Sequence, residues 1–175
     1  MTTTCHGSCV CGAVAFRVDG PFTRFPYCHC SRCRKRTGSA HAANLFVPAA
    51  QFAWERGEEL VRVFRLPTAP RWSNAFCTVC GSPMPWLART GASVLIPAGA
   101  LDDDPGLRPE LNIHFASRAP WYAHAAELET FDESTTQMLD ENLKKSKEIE
   151  EKRIQDAIDK AMKARSAEQG GGAPA

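Results

Sequence analysis

At 175 residues, with 43% hydrophobic and 23% charged side chains, the chain is sized for one globular domain plus an appendage. A formal net charge of +1 supplies no field for nucleic acid or an anionic membrane, so partners have to be read from sites. The start lacks the basic residues and apolar run of a secretion signal, and no apolar stretch nears the roughly 20 residues of a membrane span. A soluble cytoplasmic protein is expected, and in that compartment eight cysteines read as metal chemistry rather than disulfides.

Along the chain, short apolar runs bounded by turn residues predict strands at Ala13 to Val18, Leu60 to Leu66 and Ser93 to Ala98. Val61 and Val63 alternate with Arg62, as in a strand with one buried face. Cys33 to Thr37 suits one short turn of helix. Pro67 and Pro70 frame a loop, and Asp102 to Gly106 form another. Of seven lysines, six fall between Lys144 and Lys163, which marks a change of character. From Ser134 to about Ala167 there is no Pro or Gly, and Leu139, Leu143, Ile154, Ile158 and Met162 partly share one helical face. Ser134 or Thr135 can cap that helix. The predicted organisation is a β domain over 1–133, a charged helix over 134–167 and a disordered tail over 168–175.

The cysteines carry the strongest signal. They occur as Cys9-Val10-Cys11, as Cys28-His29-Cys30-Ser31-Arg32-Cys33 and as Cys77-Thr78-Val79-Cys80-Gly81, with Cys5 left over. Cys-x-x-Cys-Gly is half of a zinc site, because a tight turn converges two thiolates on one cation. Cys9 and Cys11 with Cys77 and Cys80 make the four ligands of a closed structural site. Cys28, Cys30 and Cys33 then hold a second zinc with one open position, the pattern of catalytic zinc, unless Cys5 or a histidine closes it. His29, between two ligands, is expected to point away. His41 and His114 are placed to reach a site from a distance.

Four segments resemble the glutathione-dependent formaldehyde-activating enzyme family, which also contains centromere protein V. They are CHGSCVCGAVAF at Cys5 to Phe16, CHCSRCRKRTGS at Cys28 to Ser39, FCTVCGSPMPW at Phe76 to Trp86 and PAGALDDDPGLRPELNIHFASRAPWY at Pro97 to Tyr122. The resemblance covers about residues 5 to 133. It implies a mainly β, Mss4-like fold of coiled antiparallel sheets clamped by zinc, followed here by a C-terminal helix outside the family pattern. It also implies two zinc ions per chain on the two cysteine sets already counted, and partial occupancy is expected of the second.

The implied activity is that of a carbon–sulfur lyase or synthase acting on a glutathione adduct of a small aldehyde, with Cys28, Cys30 and Cys33 at the catalytic metal. Arg34, Lys35, Arg36, Arg71 and Arg118 are candidate partners for the two carboxylates of glutathione, arginine being suited to bidentate pairing. Trp121 and Tyr122 are candidate pocket walls. A non-catalytic thiol-binding scaffold is the alternative, and a chromatin module the weaker third, against which the near-neutral charge argues. The expected partners are a small thiol and a small aldehyde, with neither nucleic acid nor membrane. A homo-oligomer through the C-terminal helix is a further expectation.

Overall fold

The computed structural model describes residues 4–123, 128, 130 and 136–169. It divides into two compact units, one ending at Tyr122 and the other beginning at Ala123.

In the first unit, β1 (Thr4–Ser8), β2 (Ala15–Asp19) and β5 (Phe52–Arg56) form an antiparallel three-stranded sheet. A second sheet has five strands in the order β10 (Leu111–Ile113), β3 (Pro26–Cys28), β4 (Ala42–Pro48), β9 (Ser93–Pro97) and β8 (Trp86–Leu87). Its pairs are antiparallel except β3 with β10. The strands β6 (Val61–Arg65) and β7 (Ser73–Cys77) form a separate antiparallel ribbon. The helix α1 (Ser31–Thr37) follows β3 directly. The mainly β class expected from the sequence is therefore observed.

Two-residue periodicity explains how the five-stranded sheet is used. Leu45 and Val47 of β4 and Val94 and Ile96 of β9 face a core shared with Cys5, Phe16 and Val18 of the three-stranded sheet. The intervening residues Phe46 and Leu95 are register partners on the opposite face, and Trp86 of β8 also pairs with Leu95. Both faces of this sheet are thus apolar, a pattern that calls for cover on each side. A second core gathers Cys9, Val14, Ala75, Cys77, Met84 and Trp86.

Close packing sets one glycine. Gly7 lies opposite Phe16 in the β1–β2 register, and a Cβ there would overlap the Phe16 ring and the Ala100 carbonyl. The aspartates of the 102–104 loop fasten this strand as well as turning the chain. Asp103 accepts the His6 N–H at 2.8 Å, and the Asp102 N–H donates to the His6 carbonyl at 2.9 Å.

Two sequence expectations are revised. The 60–66 run contains the strand Val61–Arg65, but within that strand only Val61 is half-buried; Val63 and Phe64 are exposed, because β6 pairs only with β7. The short helix expected from Cys33 starts earlier, since Cys30 caps it.

The second unit holds α2 (Thr136–Gln169), on which Leu143, Ile154 and Ile158 of the apolar stripe are exposed. The side chains of Leu139 and Met162, the caps Ser134 and Thr135, and residues 170–175 of the expected disordered tail lie outside the described residues. Among the described residues no helix is long and apolar enough to cross a membrane.

Candidate metal centres

All eight cysteines are free of disulfides, and seven of them form two clusters. The sulfurs of Cys9, Cys11, Cys77 and Cys80 lie within 4.8 Å of one another. Tetrahedral zinc with Zn–S near 2.3 Å sets sulfurs about 3.8 Å apart, so four thiols at these separations fit the ion.

Two knuckles build this tetrad. In the first, between β1 and β2, the Gly12 N–H donates to the Cys9 carbonyl at 2.8 Å and the Val14 N–H to Cys9 Sγ at 3.2 Å. In the second, after β7, the Gly81 N–H returns to the Cys77 carbonyl at 2.8 Å, with Gly81 at φ +78° in the left-handed region. Ser82 joins the two: its Oγ accepts the Val10 N–H at 3.1 Å and lies 3.3 Å from Cys80 Sγ. The Ser82 hydroxyl, followed by the Ser82 and Cys11 backbone amides, holds the Cys80 thiol down to about 6.

The second cluster is the triad Cys28, Cys30 and Cys33, whose sulfurs also lie within 4.8 Å of one another. Cys28 ends β3, Cys30 is the N-cap of α1, and the Cys33 N–H donates to Cys30 Sγ at 3.4 Å. The hydrogen bond from the Cys33 thiol, against the opposing effect of burial, brings Cys28 down to about 5. The same contact pushes Cys33 up. A cation is ligated by thiolates, so metal binding at this cluster releases protons and depends on pH.

Both clusters border open space: Cys9 of the tetrad lines a cavity of about 630 Å³ together with Ser8, Val10 and Ser82. The triad borders an open cleft of about 380 Å³ lined by Arg32, Thr68, Arg71, Trp72 and His114, among others. On its other side Cys28 and Cys33 border a smaller pouch of about 120 Å³. Arg71 and Trp72 line both spaces. His114 sits in the cleft with a left-handed φ of 54°, a conformation costly for a residue with a Cβ.

Of the residues proposed for substrate, only Arg71 lines both spaces. Arg36 lines the pouch, where its Nη2 donates to Asn44 Oδ1 at 2.9 Å and its guanidinium lies 4.9 Å over the Trp86 ring. Arg34, Lys35, Arg118 and Trp121 line neither space. Arg118 instead lies 4.7 Å over the Phe115 ring, and Trp121 is 68% exposed. His29 is fully buried, with Nε2 2.9 Å from Asn112 Oδ1 and ring contacts to His41, Phe115 and Tyr122. Cys5 is buried apart from both clusters, its thiol 3.8 Å from the Asp104 carbonyl. Arg32 and Trp72 are among the lining residues that the sequence did not single out. Arg32 lies inside the cysteine segment, whereas no local signal marks Trp72.

A β body carrying one cluster of four cysteines and one of three defines a protein fit to hold metal on thiolates. The family model described as glutathione-dependent formaldehyde-activating enzyme matches residues 4–117. A Halomonas elongata protein provisionally named a glutathione-dependent formaldehyde-activating enzyme is 32% identical over 126 residues, covering 66% of this chain and 78% of the relative. A crystal structure of a Rhodobacter sphaeroides protein is 26% identical, covering 61% of this chain and 97% of its own, with a TM-score of 0.47. The chain belongs to the glutathione-dependent formaldehyde-activating enzyme family.

Proposed function

We propose that the protein is a zinc-dependent carbon–sulfur lyase or synthase that interconverts a small thiol such as glutathione, a small aldehyde and their S-hydroxyalkyl adduct. The observation that carries this reading is the open triad: three thiols fit for one cation, bordering a cleft large enough for a polar substrate. The tetrad is read as the structural zinc site and the triad as the catalytic one. Zinc held by Cys28, Cys30 and Cys33 would supply positive charge that acidifies a thiol and polarises a carbonyl.

The other steps fall to side chains of the cleft. Arg71 and Arg32 are placed to pair with the carboxylates of glutathione and fix its thiol near the sulfurs. In synthesis the substrate sulfur bonds to the carbonyl carbon, the thiol proton leaves, and the carbonyl oxygen takes up a proton. His114 is the cleft imidazole able to carry that proton at a ring nitrogen. No electrons are exchanged with an outside partner, and the lyase direction reverses each transfer.

Thiols add to formaldehyde unaided, so the test is acceleration. Zinc-loaded protein is mixed with glutathione and formaldehyde, and exchange between free and adduct forms is followed by NMR. Exchange should quicken in proportion to protein and return to background with Cys30→Ser, whose circular dichroism should match wild type. Unchanged exchange with folded, zinc-loaded protein would refute the enzyme reading. Saturable glutathione binding in that case would leave a thiol-binding scaffold.

A further inference from the structure

The pouch behind the triad has no role in a reaction of formaldehyde, whose carbonyl carbon carries only hydrogen. Its walls include Phe46, Leu95, Trp86, Ile113 and Trp72, with the sulfurs of Cys28 and Cys33 at its boundary with the cleft. The sheet accounts for this lining, because Phe46, Leu95 and Trp86 form the second apolar face of β4, β9 and β8. Two cations border the pouch: half-buried Arg36 is held by Asn44 and stacked on Trp86, and exposed Arg71 is shared with the cleft. The Nη1 of Arg36 is buried and has no hydrogen-bond partner. Most of the remaining lining is apolar, so the space suits hydrocarbon.

We infer that the aldehyde handled at this triad carries an apolar substituent, seated in the pouch while the polar thiol occupies the cleft. This rests on the proposed carbon–sulfur chemistry and narrows its substrate. An apolar cavity of about 150 Å³ takes benzene, so about 120 Å³ suits a chain of about four or five carbons. The reaction is R′–SH plus R–CHO giving R′–S–CH(OH)–R. One C–S bond forms, the thiol proton leaves, the former carbonyl oxygen gains a proton, and nothing is reduced or oxidised overall.

Two ligand series on the zinc-loaded full chain test this, read by the fluorescence of Trp72 and Trp86. The first is S-alkyl glutathiones from methyl to hexyl, stable mimics of the adduct; the second is simple 1-alkanethiols of the same lengths. Affinity should rise about fourfold per methylene, the equivalent of about 0.8 kcal/mol, and level off near five carbons. Leu95→Phe, which fills the pouch, should flatten both trends while S-methylglutathione binds as before. Ile113→Phe repeats the test from β10 should Leu95→Phe fail to fold. A rise in the alkanethiol series alone, with no glutathione derivative bound, would overturn the glutathione reading and keep the pouch. Flat affinity in both series, or a rise that neither filling variant changes, would overturn the inference.

Discussion

Ser82 shows how one hydroxyl links two separate segments of chain. It accepts the Val10 N–H and sits beside Cys80, so it braces the first knuckle and favours thiolate in the second. Ser82→Ala should raise the Cys80 thiol from about 6 and weaken zinc at the tetrad by 10- to 100-fold, as loss of outer partners does elsewhere, measured by chelator competition. Asp104 gives a pH-dependent case. The Arg108 guanidinium, then the Gly106 N–H, hold its carboxyl down to about 2. Because the folded value lies below the ordinary one of 3.8, the stabilisation is present above that value and is lost as pH falls through about 2. In urea unfolding, Asp104→Asn should be less stable than wild type at pH 6, and the difference should narrow as the pH falls below 3.8. At this scale the sequence was partly legible. Cysteine spacing is local, so both clusters could be assembled by counting, whereas the stacking of the Arg118 guanidinium on Phe115, three residues away, depends on side-chain direction, which spacing does not record.

Among the elements, β1 and β2 depend on a residue with no side chain. Gly7→Val should cost about 1 to 3 kcal/mol or more, because the Phe16 ring occupies the space a Cβ needs, and the Ala100 carbonyl behind it is backbone that cannot rotate away. Denaturant midpoints measure this, and Ser8→Ala, on a half-buried neighbour, is the control. Element boundaries were legible where turn residues bracket an apolar run, as at Ser93–Pro97. They were not legible at Pro26–Cys28 or Leu111–Ile113, three-residue strands whose existence depends on pairing with each other across the sequence. The exposed face of β6 was misread for a related reason. Alternation reports that one face differs from the other, and only a covering layer decides whether that face is buried.

For the whole molecule, the two clusters should fail differently. The tetrad ties the β1–β2 turn to the end of β7 and abuts the second core, so metal there is expected to add about 10 kcal/mol to folding. Cys77→Ser should give protein with collapsed near-ultraviolet dichroism and a lost thermal transition. Cys30→Ser should keep both and retain one zinc by elemental analysis. A chelator titration of wild type should release the triad metal first. The family and β class were legible from ordered cysteine clusters, but the pouch was not. Phe46, Leu95 and Trp86 line it only because β8 and β9 return beside β4, an arrangement no single segment records.

The spacing of the two clusters also orders events during synthesis. The triad is complete within six consecutive residues, Cys28 to Cys33, whereas Cys9 and Cys11 have no partners until Cys80 has been made. At about 5 to 20 residues per second, the emerging chain carries a finished three-thiol site for about 2 to 10 s before its four-thiol site can exist. A cell short of zinc would thus offer the ion first to the three-thiol site, and the four-thiol site would have to draw on what remained.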